Sequence, residues 1–222
     1  MTGRVRVGVL ISGRGSNLQA LIDACAQPDY PAEIVCVISN VPGVEGLTRA
    51  ERAGIQTHVI AHTTYTTRES FDAAMSDLLR AAEVQCVCLA GFMRVLSDRF
   101  VESWKGHLIN IHPSLLPSFK GLNVHRRILE SGVRISGCTV HFVVPELDSG
   151  PIIAQAAVPV LPADTEQTLA ARTLAAEHKL YPLALELFAR SQITLENGRV
   201  QFANATSANG QLFSPALLQT AD

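Results

Sequence analysis

The chain lacks any long hydrophobic run: no apolar stretch reaches the eighteen or so residues a membrane-spanning helix needs. Charge is scarce, at 17% of 222 residues, with a formal net charge of -2. That leaves no basic stripe able to neutralise nucleic-acid phosphates. Cysteine is odd in number, at five, and no second pair at metal-ligand spacing joins Cys86 and Cys88. Cys36, Cys86, Cys88 and Cys138 sit in apolar or strand-like surroundings and Cys25 on a helical stretch, so they read as buried thiols of a reducing compartment. The seven histidines are scattered without ligand spacing. There is no internal repeat, low-complexity tract or linker, and Met1-Thr2-Gly3-Arg4 runs straight into a strand without the apolar region of a signal peptide. We therefore expect a soluble, cytoplasmic protein with no metal. It should bind small molecules rather than nucleic acid or membrane, as a monomer or homodimer.

What is present is core-forming sequence. Hydrophobic residues make up 47%, enough for one sizeable domain. The first half alternates short β-rich runs with helical ones. Strands are predicted over 5–11, 34–39, 58–60, 84–90 and 108–111. Helices are predicted through Leu18, Leu21 and Ile22, over 46–53, and over 67–83, where Phe71, Met75, Leu78 and Leu79 keep helical spacing. The continuously apolar run 84–90 suits a strand covered on both faces. This alternation predicts an α/β fold with a doubly wound, mostly parallel sheet. After Gly121 the pattern changes. A helix over 124–130 precedes two strands, 138–144 and 152–160, joined only by a loop, an antiparallel addition to the sheet. A helix over 170–189 closes the domain. A hairpin over 193–202 turns at Asn197-Gly198, a pair suited to left-handed turn geometry. Residues 1–202 read as one domain and 203–222 as a tail.

One strand end and two loops carry the chemistry. Ile109-Asn110-Ile111-His112-Pro113 brings a strand to a stop at a proline, which cannot extend a central strand. Asn110 and His112 are two apart, so a strand points both to one face. An amide donor beside an imidazole can stabilise an oxyanion and move a proton. Glu146-Leu147-Asp148-Ser149-Gly150-Pro151 then supplies a carboxylate, and the trio suggests acyl-group transfer. Taken singly, the residues admit blander readings: a structural histidine, a turn-forming asparagine, an Asx-turn at Asp148. The second loop, Ser12-Gly13-Arg14-Gly15-Ser16-Asn17, follows the first strand. Its glycines let backbone approach a ligand, and the N–H groups of the next helix favour an anion. Ser16 and Asn17 add donors and can cap that helix. The loop matches neither the Walker lysine pattern nor G-x-G-x-x-G.

With these residues in hand, the chain closely resembles the phosphoribosylglycinamide formyltransferases (GAR transformylases) among the folate-dependent formyltransferases. The resemblance covers roughly residues 4–190. It is carried by Ile11-Ser12-Gly13-Arg14-Gly15-Ser16-Asn17-Leu18-Gln19-Ala20, by Ala90-Gly91-Phe92-Met93-Arg94-Val95-Leu96, by Asn110-Ile111-His112-Pro113-Ser114-Leu115-Leu116-Pro117, and by the Asp148 loop. It implies the Rossmann-like fold of that family and formyl transfer from 10-formyltetrahydrofolate, a co-substrate, to the amine of 5'-phosphoribosylglycinamide in purine biosynthesis. Gly15, Ser16 and Asn17 would hold the ribose phosphate and Glu177 would contact the ribose. Arg68, Met93, Arg94, Val95, Leu96 and Asn110 would bind the formylfolate. Asn110 and His112 would flank the formyl carbon and stabilise the oxyanion. Asp148 would orient the imidazole, favour its charged form, and assist proton transfer, directly or through water. Outside these roles, Arg68 reads as a solvated helix residue and Met93 and Leu96 as packing. Asn123 stands where many bacterial relatives carry histidine, although His125 matches.

The rival readings are a formyltetrahydrofolate hydrolase, which normally adds an amino-terminal regulatory domain, and a methionyl-tRNA formyltransferase, which normally adds a carboxy-terminal tRNA domain. A non-catalytic phosphosugar- or folate-binding protein on the same scaffold is the third. The intact Asn110, His112 and Asp148 argue against a pure binder.

Overall fold

The computed structural model describes residues 3–203. Apart from Ala203, the expected tail lies outside the described residues. Seven strands form one sheet: β1 (Val5–Ile11), β2 (Ala32–Ser39), β3 (Gln56–Val59), β4 (Cys86–Leu89), β5 (Leu108–His112), β6 (Ile135–Phe142) and β7 (Ile152–Pro159). Their order is β3-β2-β1-β4-β5-β6-β7. The first five strands pair in parallel, and β6 and β7 are added antiparallel. The expected α/β architecture with its antiparallel addition is what the chain adopts. A separate hairpin, β8 (Ile193–Glu196) and β9 (Arg199–Phe202), turns at Asn197 and Gly198, both left-handed at φ 49° and 73°.

The helices are α1 (Ser16–Cys25), α2 (Glu45–Arg52), α3 (Arg68–Ala81), α4 (Asp98–Ser103), α5 (Val124–Ser131) and α6 (Glu166–Ala189). The sheet separates two apolar layers. Leu18 and Leu21 of α1, Leu47 of α2, and Leu180, Tyr181 and Leu185 of α6 pack on one face. Phe71, Met75 and Leu79 of α3 and Phe100 of α4 pack on the other. Burial on both faces explains the unbroken apolar run through β4. All five cysteines are buried and free. Burial pushes the Cys25 and Cys138 thiols up to about 12 and Cys36 to about 11, which suppresses thiolate chemistry.

Several boundaries shift by a residue or two, and three departures from the sequence pattern are larger. The strand expected over 138–144 is Ile135–Phe142, because its first residues pair with the end of β7. The closing helix starts earlier, where Thr165 accepts from the Thr168 N–H in a capping box. α4 is absent from the prediction. It spans six residues, too short for periodicity to register, and starts at Ser97, whose side chain accepts from the Phe100 N–H.

Tyr181 ties these layers to the site. From α6 its buried hydroxyl lies 3.0 Å from the Leu89 carbonyl and 3.2 Å from that of Ile109. It thereby ties the carboxyl end of β4 to β5 at Ile109, one residue before Asn110. No helix among the described residues is long and apolar enough to cross a membrane.

Candidate active site

Alternation along β5 sets the first half of the site. Ile109 and Ile111 belong to the apolar layer under α1 and α6, whereas Leu108 belongs to the layer under α3 and α4. Asn110 and His112 share the face of Leu108, as the two-residue spacing requires. Antiparallel register then places His141 of β6 opposite Asn110. The Asn110 Nδ2 lies 3.3 Å from His141 Nε2, and His141 Nδ1 lies 2.8 Å from the Phe142 carbonyl.

That geometry fixes proton positions. The Phe142 carbonyl can only accept, so His141 Nδ1 carries a hydrogen. Burial pushes the His141 ring below its ordinary pKa, against the opposing pull of the Phe142 carbonyl and of Asp148. A neutral ring protonated at Nδ1 presents a lone pair at Nε2, and Asn110 must meet it with its NH2 group. One amide hydrogen is thereby committed to His141, and the second is left to donate elsewhere. His141 is a site residue that the motif reading misses. The available signal was an imidazole inside an apolar strand, but locating it opposite Asn110 requires the register of β6.

The remaining two members of the trio also meet. Asp148 Oδ2 lies 3.3 Å from His112 Nδ1, both side chains being buried, and Asp148 Oδ1 lies 3.9 Å from His141 Nε2. Asp148 also accepts from the Gly121 N–H at 2.8 Å. It therefore clamps a second loop, beyond the reach of a local Asx-turn. Its own backbone is left-handed, φ 48°. Two residues on, a Cβ at Gly150 would sit 1.7 Å from the Phe142 carbonyl oxygen, so only glycine lets this loop lie flat on β6. His112 Nε2 lies 3.0 Å from the Phe119 carbonyl. Both ring nitrogens of His112 thus face oxygen acceptors, and in this arrangement neither points an unengaged N–H at a substrate.

The glycine loop forms a second group. Gly15 adopts φ 69°, and a Cβ there would meet the Gly46 backbone at 2.7 Å. This left-handed glycine occupies the N-cap position of α1, with no side-chain cap. The expectation that Ser16 or Asn17 caps the helix is corrected. Both lie inside the first turn, because Gly15 starts the helix one residue earlier. Asn17 instead turns inward, donating from Nδ2 to Glu177 Oε2 at 2.7 Å. Burial raises the Glu177 pKa, partly offset by that hydrogen bond. The Asn17 Oδ1 is buried with no hydrogen-bond partner among the described residues.

The segment after β4 lies between these groups. Met93 and Val95 are 71% and 62% exposed, Arg94 is exposed, and Leu96 is buried in the layer under α3. Arg68 is exposed on the first turn of α3. Asn123, the departure from the bacterial pattern, adopts φ 53° at the start of α5, a conformation asparagine tolerates. The strand order reverses between the neighbours β1 and β4, and both the glycine loop and the 93–96 segment follow the carboxyl ends there, the usual ligand position in such sheets. Among the described residues, no group of three or more His, Cys, Asp or Glu could hold a metal ion.

The chain is similar to proteins that share this arrangement of sequence. A family model described as formyl transferase matches residues 5–185. Phosphoribosylglycinamide formyltransferase of Escherichia coli strain K12 is 43% identical over 211 residues, covering 95% of this chain and 97% of that protein. The trifunctional purine biosynthetic protein adenosine-3 of Gallus gallus is 54% identical over 200 residues, 90% of this chain. This chain spans about a fifth of the length of that animal protein, 20%. Among solved structures, glycinamide ribonucleotide transformylase 1 from Symbiobacterium toebii superposes with a TM-score of 0.89 at 46% identity, covering 91% of this chain and 95% of that one. Phosphoribosylglycinamide formyltransferase from Anaplasma phagocytophilum gives 0.85 at 49% identity, covering 92% and 97%. Likeness of this extent, running through both loops and the strands that carry them, places the chain in the formyl transferase family.

Proposed function

We propose that the chain transfers the formyl group of 10-formyltetrahydrofolate to the amine of 5'-phosphoribosylglycinamide, giving formylglycinamide ribonucleotide and tetrahydrofolate. The observation that carries this reading is the Asn110 amide, held on a neutral His141 beside the His112–Asp148 pair. In the reaction the amine nitrogen bonds to the formyl carbon and an oxyanion develops. The bond from that carbon to the folate nitrogen then breaks, and a proton lost by the amine ends on the folate nitrogen. The uncommitted N–H of Asn110 is a preorganised oxyanion donor. His112 Nε2–H joins it once a substrate displaces the Phe119 carbonyl. Asp148 orients the imidazole and takes part in passing the amine proton.

Gly15, Ser16 and Asn17 offer first-turn N–H groups to the substrate phosphate. Glu177 and the unpartnered Asn17 Oδ1 offer acceptors to ribose hydroxyls. Met93 to Leu96, with Arg68, line the formylfolate side. We read the protein as a cytoplasmic small-molecule enzyme that needs no metal. The domain expected over 1–202 would carry the whole of this activity.

A spectrophotometric assay with 10-formyltetrahydrofolate or its 5,8-dideaza analogue tests the reading, run with and without the ribonucleotide. Folate product that depends on the ribonucleotide supports it. Product formed without acceptor assigns a hydrolase, and binding of both ligands without turnover assigns a binding protein.

A further inference from the structure

The 93–96 segment has no regular structure and exposes Met93, Arg94 and Val95, yet both its ends are tied to other elements by side chains. At the start, the Met93 N–H donates to Ser12 Oγ at 2.8 Å. Ser12 follows β1 directly and is the first residue of the glycine loop. Its hydroxyl hydrogen goes to Asn40 Oδ1 at 2.5 Å, and its own N–H donates to the Gly91 carbonyl at 3.2 Å. The hydroxyl has one hydrogen to give, so Ser12 meets Met93 as an acceptor. At the far end, the Ser97 N–H donates to Asp72 Oδ2 at 2.6 Å.

Asp72 is 2% exposed, on α3 one turn beyond Arg68. A carboxyl group that deep needs a hydrogen-bonding partner to offset its removal from water. The hydrogen bond shown to it runs to Ser97, the residue that turns the 93–96 segment into α4. A neutral apolar side chain would pack α3 against α4 as well, but it would leave the Ser97 N–H buried without an acceptor.

We infer that Ser12 and Asp72 are positioning residues for the formyl donor, clamping the two ends of the 93–96 segment so that its backbone is held ready for the folate. This rests on the reading that the segment lines the formylfolate pocket. Neither side chain touches the reacting atoms. Ser12 also joins that segment to the loop assigned to the ribose phosphate, so the two substrate subsites share one hydroxyl.

Asp72→Ala, Asp72→Asn and Ser12→Ala test the inference. The readouts are the dissociation constant for the 5,8-dideaza formylfolate analogue, steady-state kinetics, and amide exchange over residues 92–97. In Asp72→Ala we expect analogue affinity and donor KM to weaken about tenfold and exchange over 92–97 to quicken. Saturating kcat and ribonucleotide KM should stay within about twofold, the signature of lost binding rather than lost chemistry. Asp72→Asn keeps an acceptor for Ser97 and should restore affinity to within about threefold of wild type. If Asp72→Ala does not fold, Ser12→Ala carries the test with the same expected loss. Folded variants that bind the analogue as wild type does, whatever their thermal stability, overturn the inference. Failure of the wild-type protein itself to bind the analogue overturns the functional reading, and the positioning role with it.

Discussion

Asn110 and His141 face each other across β5 and β6, and the 3.3 Å contact between Nδ2 and Nε2 settles which way the amide points. Because His141 is held neutral and protonated at Nδ1, it acts as an acceptor that aims the amide and does not itself titrate into the chemistry. Removing Asn110 deletes the oxyanion donor, and Asn110→Ala should lower kcat by about 100- to 1000-fold. His141→Phe leaves the donor present but unaimed, and a loss of about tenfold is expected. Steady-state kinetics on both single variants and the double variant check this. The double variant should lose no more than Asn110→Ala alone, since the two changes act through one group.

The same histidine makes folding sensitive to acid. Its folded pKa lies below the ordinary 6.5, with burial as the main cause. The unfolded chain therefore binds the proton more readily. The contribution is fully present above about pH 6.5 and is lost as pH falls through the lowered folded value. Tm should decline as pH drops from 7 towards 5. In His141→Phe that decline should be shallower by about 2–4 °C for each kcal/mol that the group contributes. Calorimetric scans at a series of pH values supply the comparison, and equal slopes in the two proteins would show that His141 is not the titrating group.

Glu177 works in the opposite sense. Burial raises its pKa above the ordinary 4.5, so the folded state favours the neutral acid. Its contribution to stability is greatest below pH 4.5 and is lost as pH rises through the raised value. Glu177→Gln should raise Tm at pH 8, by about 2–4 °C for each kcal/mol the ionised group costs there, with the gain vanishing near pH 4. It should also raise ribonucleotide KM while sparing donor KM, if the side chain meets the ribose. A stable variant with unchanged ribonucleotide KM would remove Glu177 from the proposed substrate site.

The residues that could be read from sequence are those whose chemistry and spacing lie within one short segment. The strand that carries Asn110 and His112, the turn at Asn197-Gly198 and the glycine loop all state their geometry locally, through alternation, proline and glycine. His141, Asp72 and Ser12 do not. Each gains its meaning from a partner 25 to 81 positions distant, through sheet register or helix packing that no local pattern encodes (from His141 to Asn110 the separation is 31). The helix cap at Ser16 or Asn17 failed for a related reason. A capping side chain and a left-handed glycine both satisfy the same helix start, and only the packing of Gly15 against Gly46 decides between them.

The loop holding Asp148 gives the sharpest separation of position from charge. Asp148→Asn keeps an oxygen able to accept from the Gly121 N–H, so fold and Tm should change little, whereas the charge beside His112 is gone. Turnover should fall by about 100-fold or more, the range seen when a preorganised electrostatic partner is lost. Gly150→Ala does the reverse. It keeps the carboxylate but forces a Cβ to within 1.7 Å of the Phe142 carbonyl oxygen, a backbone atom that cannot swing away. The loop must lift, carrying Asp148 off His112 and off Gly121. Both Tm and kcat should drop in Gly150→Ala, and kcat alone in Asp148→Asn. Thermal melts paired with kinetics on the two variants decide the matter. Full activity in Gly150→Ala would mean that the Asp148–His112 contact is not required for transfer.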